Sequence, residues 1–318
     1  MRLLKIIPDN TNIGFVRVRH IAFAVTMLLT IAAVALVGVR GLNMGVDFVG
    51  GVSIEEKFPS PPQAHLDTIR ETVHQLGFGE PALQQLGGQN SVTIRLPVPK
   101  SAAPDAVNAM VESVKTALKA KFNADFTTYS TVSGKVSGEL VNKGVLAVVL
   151  AIIGIAIFSW FRYEWQFGVS TAVAIIHDVL MAIGFFALTQ MVFDLNIVAA
   201  VLTIIGYSIN DKMVIDDRIR ENMRKYRKMG MSELIDLSVN ETLPRTVMTS
   251  LTIMLALAAL LIFGGPVLRG FTAAMMLGIV VGTYSSIYVS SSLLISLGLK
   301  PGPREEKPSA ATGAERIG

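Results

Sequence analysis

The segment LTIIGYSINDKMVIDDRIREN begins as a hydrophobic helix and then places ionisable residues inside its apolar run. Asn210, Asp211 and Lys212 follow one another directly there. A carboxylate in hydrocarbon is costly unless it is paired or protonated. Because a group poised between its two protonation states is suited to proton transfer, Asp211 is the first candidate for chemistry.

The helical phase of this segment separates a polar side from an aliphatic side. The polar side is expected to face other helices and holds Thr203, Gly206, Tyr207, Asn210 and Asp211. The aliphatic side is expected to meet lipid and holds Val198, Leu202, Ile205 and Ile209. As an alternative, Asp211 lies only about one turn from the cytoplasmic end of the helix and reaches headgroup water.

Lys212 projects onto the aliphatic side in the same helical phase. We expect its long side chain to snorkel to the membrane interface and to pair with Asp216 one turn later. The ammonium group then points away from Asp211.

A second charged candidate lies in the next apolar segment. Arg245 shares a helical face with Thr249 and Thr252, and it follows Pro244, which is expected at the first turn of a helix. Because Arg245 and Asp211 both lie toward the cytoplasmic ends of their segments, the guanidinium can serve as the counter-charge of the carboxylate. An arginine that only anchors the helix to lipid headgroups fits the sequence equally well.

The apolar segment at residues 167–188 holds Asp178 beside His177, about halfway along its length. Asp178 is too deep to reach water by snorkelling, so we expect it to pair inside the bundle. A further segment carries small residues at a spacing of four, which lets another backbone approach closely and predicts helix packing. This ladder consists of Ala274, Gly278, Gly282, Ser286 and Ser290.

The composition is that of an integral membrane protein. Of the 318 residues, 51% are hydrophobic and only 16% are charged, compared with about 25% in a typical soluble domain. The chain has no cysteine, which excludes disulfides and thiolate metal sites, and its four histidines form no ligand-spaced pair. The net charge of +4 is not a signature of nucleic-acid binding, and we expect no metal or cofactor.

Apolar segments of membrane-spanning length predict six helices, at 21–39, 144–160, 167–188, 197–215, 245–263 and 271–297. Lysine and arginine cluster before the first span and after the fourth and sixth, which predicts that both termini are cytoplasmic. The predicted parts are a cytoplasmic N-terminus (1–20), the first span (21–39), an external domain (40–143), a five-helix bundle (144–297) with a cytoplasmic loop (217–244), and a disordered cytoplasmic tail (298–318).

The external domain reads as strand, helix, strand, strand, helix, strand. Proline begins the first predicted helix, at 61–77, and glycine ends it, while a Gly-Gly turn separates the two middle strands. This β-α-β-β-α-β order is that of the ferredoxin-like arrangement. The fold class is therefore an α-helical membrane protein with one α+β domain between its first and second spans. The domain has no catalytic cluster and is expected to contact proteins or bear force.

Several motifs together resemble the SecF branch of the SecD/SecF family, which belongs to the RND superfamily. The segment IIGYSINDKMVIDDRIREN resembles the family's fourth-span signature, and NETLPRTVMTSLT its fifth-span segment. The shorter matches are GVDFVGG after the first span, AIIHDV in the third span and FGGPVLRGF before the sixth. Together they are spread over most of the chain.

The resemblance implies a non-enzymatic subunit that uses the proton gradient, with protons as the coupling ion, to promote protein export. It makes Asp211 the protonatable residue of a proton path and Arg245 its partner, and it places Asp178 in a matching motif. The expected partners are SecD in a heteromer, the SecYEG translocon, an exported unfolded polypeptide and the lipid bilayer, but no nucleic acid. The expected location is the bacterial inner membrane, with the large loop periplasmic. Lys212 departs from the family pattern, which usually has a small or hydroxylated residue there.

Other functions remain open at this point. One is half of a proton-driven exporter of small molecules, and another is a passive scaffold for a translocon. An intramembrane aspartyl protease is disfavoured, because Asp178 and Asp211 are expected at different depths and the Gly-x-Gly-Asp motif is missing.

Overall fold

The structure is a computed structural model that describes residues 8, 11–59, 66–79, 81–86, 90–98, 104–132, 134–264 and 268–300. The tail predicted to be disordered lies outside the described residues from position 301 onward. In chain order the helices are α1 (Arg19–Arg40), α2 (Val46–Val49), α3 (Leu66–His74), α4 (Pro104–Phe122), α5 (Gly134–Arg162), α6 (Trp165–Thr189), α7 (Leu195–Lys225), α8 (Met231–Phe263), α9 (Arg269–Tyr284) and α10 (Ser291–Ser296). The strands are β1 (Gly51–Lys57), β2 (Ala82–Leu86), β3 (Ser91–Leu96) and β4 (Asp125–Val132).

Six helices are long and apolar enough to cross a membrane, as predicted. They are α1, α5, α6, α7, α8 and the continuous run of α9 and α10, which are joined by a π-helical segment, Ser285–Ser290. Helix α6 and the run of α9 and α10 are the most enclosed, whereas few residues are buried in the most apolar stretches of α1, α5 and α8. The core of the bundle therefore lies between α6, α7 and α9.

The region between the fourth and fifth spans is more helical than the sequence predicted. Helix α7 continues to Lys225 and α8 begins at Met231, so Pro244 lies inside α8 and not at its start. Proline removes one backbone hydrogen bond from a helix. The helix nevertheless continues, because its first turns bury apolar side chains in a cluster with α7 and the N-terminal segment. These side chains are Leu234, Ile235, Val239 and Leu243.

The domain between α1 and α5 is an antiparallel sheet in the order β2-β3-β1-β4 with two helices. Its elements follow the predicted order, although α3 is shorter than expected and residues 61–65 lie outside the described part. Alternate residues of β1, such as Val52 and Ile54, pack with α3 and α4 in an apolar core. The opposite face of the sheet is turned toward the loop between α6 and α7 and the start of α9.

A short turn ties this domain to the loop between α6 and α7. Met44 forms an isolated β-bridge with Phe193, and the Gly45 amide donates a 2.8 Å hydrogen bond to the Phe193 carbonyl oxygen. A Cβ atom on Gly45 would lie 3.1 Å from the Cβ of Asp194, so the close approach favours glycine here. The glycine motif after the first span thus joins two chain segments at the end of the bundle that carries the sheet domain.

The small-residue ladder of α9 packs against α7 within this chain. A Cβ atom on Gly278 would clash with the side chain of Ile204, and one on Gly282 would lie 3.1 Å from that of Ser208. The Ser286 hydroxyl donates to the Ser208 carbonyl oxygen at 3.5 Å. These glycines let α7 and α9 approach closely in the centre of the bundle.

Candidate functional site

Asp211 is buried between three helices of the bundle. Its residue surface is only 3% exposed. The hydroxyl groups of Thr283, Thr249 and Tyr207 lie around its carboxyl group, and Arg245 adds a positive charge at longer range. The oxygen Oδ2 is nevertheless buried with no hydrogen-bond partner. A buried carboxyl oxygen that accepts no hydrogen bond from the protein leaves the ionised form poorly compensated, which favours binding of a proton.

A chain of hydroxyl groups joins the three helices beside Asp211. The Tyr207 hydroxyl of α7 lies 2.7 Å from Ser250 Oγ of α8, which lies 3.0 Å from Thr283 Oγ1 of α9. Hydroxyl groups both donate and accept, so such a chain can reorient around a carboxyl group that changes charge. Sequence reasoning missed Ser250 and Thr283. The available signal was a hydroxyl on each neighbouring apolar helix, which is also typical of packing.

Arg245 is exposed on α8 and forms no ion pair with Asp211, although both residues are described. Thr249 and Thr252, which share its face, donate their hydroxyls to carbonyl oxygens of α8 itself. The guanidinium is therefore available to other groups. Its predicted role as partner of Asp211 is represented here by charge at a distance and not by contact.

The two sides of α7 follow the prediction only in part. The polar residues Thr203, Gly206 and Asn210 are exposed, Tyr207 is half-buried, and the aliphatic Ile205 is buried in the bundle. Asp211 faces other helices as expected, but the expectation that the aliphatic side meets lipid is wrong at Ile205, which packs in a core cluster with residues of α6 and α9. Val198, Leu202 and Ile209 are partly exposed. Five residues are exposed on these two helices, and we call them the outer polar stripe: Thr203, Gly206 and Asn210 of α7, and Arg245 and Thr252 of α8.

Asp178 lies elsewhere, in the interior between α6, α7 and the π-helical segment. It is 1% exposed, and its carboxyl group accepts from Ser208 Oγ at 2.6 Å and Ser285 Oγ at 2.9 Å. The Nδ1 atom of His177 lies 3.1 Å from the other carboxyl oxygen. The predicted interior pairing of Asp178 is observed. Because both of its oxygens have partners, the contacts of Asp178 fit a role in linking helices better than a role in proton transfer to Asp211.

Lys212 is buried, so the prediction that it snorkels to the interface is wrong. Its Nζ atom lies 2.7 Å from Oδ2 of Asp216, as the helical spacing predicted, and 3.1 Å from Ser170 Oγ. Snorkelling is blocked because α6 and the π-helical segment cover this side of α7. Within the described residues, no group of three or more acidic or histidine side chains could hold a metal ion.

Comparison with known proteins assigns the family. Residues 112–300 match the family described as "Protein export membrane protein SecD/SecF, C-terminal", and residues 35–55 match the "SecD/SecF GG Motif". The chain belongs to the SecD/SecF family. Relatives named protein translocase subunit SecF include one from Rickettsia bellii, 38% identical over 92% of this chain and 95% of the relative. Another, from Cereibacter sphaeroides, is 38% identical over 97% of both chains.

The SecD/SecF assignment extends to solved structures. SecDF from Thermus thermophilus, a translocon-associated membrane protein, is 35% identical and matches with a TM-score of 0.83. The match covers 92% of this chain but only 39% of that longer one. A structure of SecDF in a super-membrane-facing form matches at the same identity with a TM-score of 0.67. Six apolar helices and the family together make this chain a multi-pass protein of the bacterial inner membrane.

Proposed function

We propose that this chain is the SecF-type subunit of a SecD–SecF complex that uses the proton gradient to promote export of unfolded polypeptides through the Sec translocase. The names of its relatives support the export role. The observation that carries the proton role is the buried, unpartnered Oδ2 of Asp211 among hydroxyl groups. No covalent catalysis is involved, and protons are the coupling ion.

Protonation of Asp211 changes the charge at the junction of α7, α8 and α9. When the carboxyl group is ionised, the hydroxyl chain and Arg245 stabilise it, and when it is protonated, their attraction is released. A proton that moves inward through 100 mV releases about 2.3 kcal/mol. This energy is sufficient to shift an equilibrium between two arrangements of packed helices by more than tenfold.

The movement can reach the sheet domain through a series of hydrogen bonds. Arg95 of β3 donates to Asn43 Oδ1 and to the Met44 carbonyl oxygen, both at 3.3 Å. Asn43 in turn donates to the Gln190 carbonyl oxygen at 2.8 Å. The Leu195 amide, at the first turn of α7, donates to Asp47 Oδ2 at 3.1 Å. The helix that bears Asp211 and the sheet domain are therefore linked through the same short turn.

The lower TM-score of the super-membrane-facing SecDF structure supports such movement. Identity and coverage are nearly the same for the two SecDF structures, so the matched residues must be arranged differently in them. We assign the sheet domain to the periplasm and to the ferredoxin-like arrangement, which its element order and antiparallel sheet support. The cytoplasmic placement of both termini rests on the basic residues that flank the spans.

The outer polar stripe is the surface that we assign to SecD. Polar and small residues exposed along a spanning helix are costly in lipid and are expected to face another helix bundle. The translocon SecYEG and the exported polypeptide are further proposed partners. A half of a small-molecule exporter is disfavoured by the names of the relatives.

The experiment that tests the function is export into vesicles that contain the translocase and the SecD–SecF complex. Asp211→Asn keeps the size and hydrogen bonding of the side chain but removes the titratable proton. We expect normal assembly and loss of gradient-dependent export. The control is Asp67→Asn, which makes the same replacement at an exposed carboxyl group that pairs with Arg70 on α3, and should leave export unchanged. If Asp211→Asn retains full gradient-dependent export, Asp211 is a structural residue and the proposed proton role fails.

A further inference from the structure

Lys212 and Asp216 form an ion pair that is closed off inside the helical bundle. Their residue surfaces are 2% and 0% exposed. Nζ of Lys212 lies 2.7 Å from Oδ2 of Asp216, while Oδ1 of Asp216 is buried with no partner. Removing two charges from water can cost more than their attraction returns, so stability alone is a weak reason for such a pair.

The pair connects α7 to two neighbouring elements. Lys212 also donates to Ser170 Oγ of α6 at 3.1 Å, and Ser290 of the π-helical segment donates to the same oxygen at 3.4 Å. Two further ionisable residues interact with Asp216. The charge of Asp217 acts on Asp216, and the charge of Asp216 acts on the Tyr163 phenol. The inner side of α7 is thus held against α6 and the π-helical segment.

Asp211 points to a different part of the bundle, although it precedes Lys212 directly. Its carboxyl group lies among hydroxyls of α8 and α9, whereas Lys212 faces α6 and the π-helical segment. Successive side chains on a helix point about 100° apart. A contact that fixes the direction of Lys212 therefore also fixes the direction of Asp211.

We propose that Lys212 and Asp216 are positioning residues, whose buried ion pair sets the rotation of α7 about its axis and so directs the Asp211 carboxyl group toward α8 and α9. This inference rests on the proposed function, because it gives the orientation of Asp211 its purpose. Asp216 neutralises the lysine on the inner side of α7. The Lys212 side chain can therefore follow Asp211 in the sequence without forming an ion pair with it.

The test uses the complete SecD–SecF complex in vesicles. The variants are Lys212→Met, the double variant Lys212→Met with Asp216→Met, and the charge exchange Lys212→Asp with Asp216→Lys. A matched control is Lys143→Met, which removes a lysine from an i,i+4 pair with Glu139 that is exposed on α5. Three quantities are measured: the yield of complex, gradient-dependent export, and the pH dependence of Asp211 modification by a hydrophobic carbodiimide, which reacts with protonated carboxyl groups.

We expect Lys212→Met to lower the yield, because it leaves a buried carboxylate without its counter-charge. The double variant should restore the yield but shift the pH midpoint of Asp211 modification by about one unit or more and reduce export severalfold. The charge exchange should return the midpoint toward that of the original protein. Lys143→Met should change none of the three quantities.

A double variant with unchanged midpoint and export would overturn the proposal, since α7 would then orient Asp211 without the pair. The proposal is also overturned if the double variant and the charge exchange both lose only yield, with normal midpoint and export per complex, because the pair would then be structural alone. The carbodiimide modification of Asp211 is measured independently of export. If Asp211→Asn retained gradient-dependent export, the proposed function would fail while the midpoint still tested the positioning role.

Discussion

Arg95 of the sheet lies over the turn after the first span and donates a 3.3 Å hydrogen bond to the Met44 carbonyl oxygen. It also binds Gln84 of the neighbouring strand. Burial lowers the pKa of Arg95, while the charge of Asp194 at the start of α7 opposes this change. The Arg95 side chain thus connects β2 and β3 to the turn, and its charge interacts with that of Asp194 at the start of α7.

Arg95→Gln is expected to weaken the connection between the sheet domain and the spans. Glutamine is too short to reach Gln84 and the turn together, so gradient-dependent export should fall severalfold. Carbodiimide modification of Asp211 should keep its pH midpoint, because the bundle is unchanged. The matched control is Arg70→Gln, which removes an exposed arginine that pairs with Asp67 of the same helix. Equal export by both variants would mean that force does not pass through Arg95.

Glu56 predicts a pH dependence of the sheet domain. This residue is 0% exposed, both of its carboxyl oxygens lack hydrogen-bond partners, and it lies at a register shift between β1 and β4. Burial raises the pKa of Glu56 to about 7, although Lys115 opposes the shift. The folded state therefore binds more protons than the unfolded state between pH 4.5 and about 7.

The free energy of unfolding of the domain should fall as the pH rises from 4.5 through about 7 and then level off. Glu56→Gln should remove this dependence and stabilise the domain above pH 7 by roughly 2–3 kcal/mol. Hydrogen exchange of β1 and β3 amides in the complete chain, corrected for intrinsic exchange rates, measures the change. Glu55→Gln is the control, because its side chain points to the opposite face. Parallel pH curves for the original protein and Glu56→Gln would contradict the assignment.

The close approach of α7 and α9 can be tested with two glycines. Gly278→Ala places a methyl group against Ile204 and should destabilise the bundle by about 1–3 kcal/mol. Gly206→Ala adds a methyl group with no atom within 4 Å and should be neutral or slightly stabilising in the isolated chain. Thermal unfolding in detergent distinguishes the stabilities of the two variants.

Gly206 also belongs to the outer polar stripe. Gly206→Ala should therefore lower the yield of complex with SecD, and an unchanged yield would place the interface elsewhere.

The sequence was sufficient for the spans and for the element order of the sheet domain, but not for which side of α7 is inside. Length and apolar composition identify a span because the bilayer has a fixed thickness. Lipid and bundle interior are both apolar, however, so the aliphatic pattern around Ile205 is compatible with either side. The burial of Lys212 follows from the same ambiguity. The spacing to Asp216 predicted the pair, while its location depended on how α6 packs.

Arg245 provides the last prediction, because it carries a positive charge near Asp211 without touching it. If the guanidinium stabilises the ionised carboxyl group, Arg245→Gln should make Asp211 easier to protonate and move its carbodiimide modification to higher pH. Arg245→Lys retains the charge and should keep most of that midpoint, although it loses the planar donor fork that a contact in another arrangement would use. Arg245→Lys should therefore reduce export clearly while shifting the pH midpoint of Asp211 modification only slightly. Equal midpoints for the original protein and Arg245→Gln would show that Arg245 acts as a headgroup anchor.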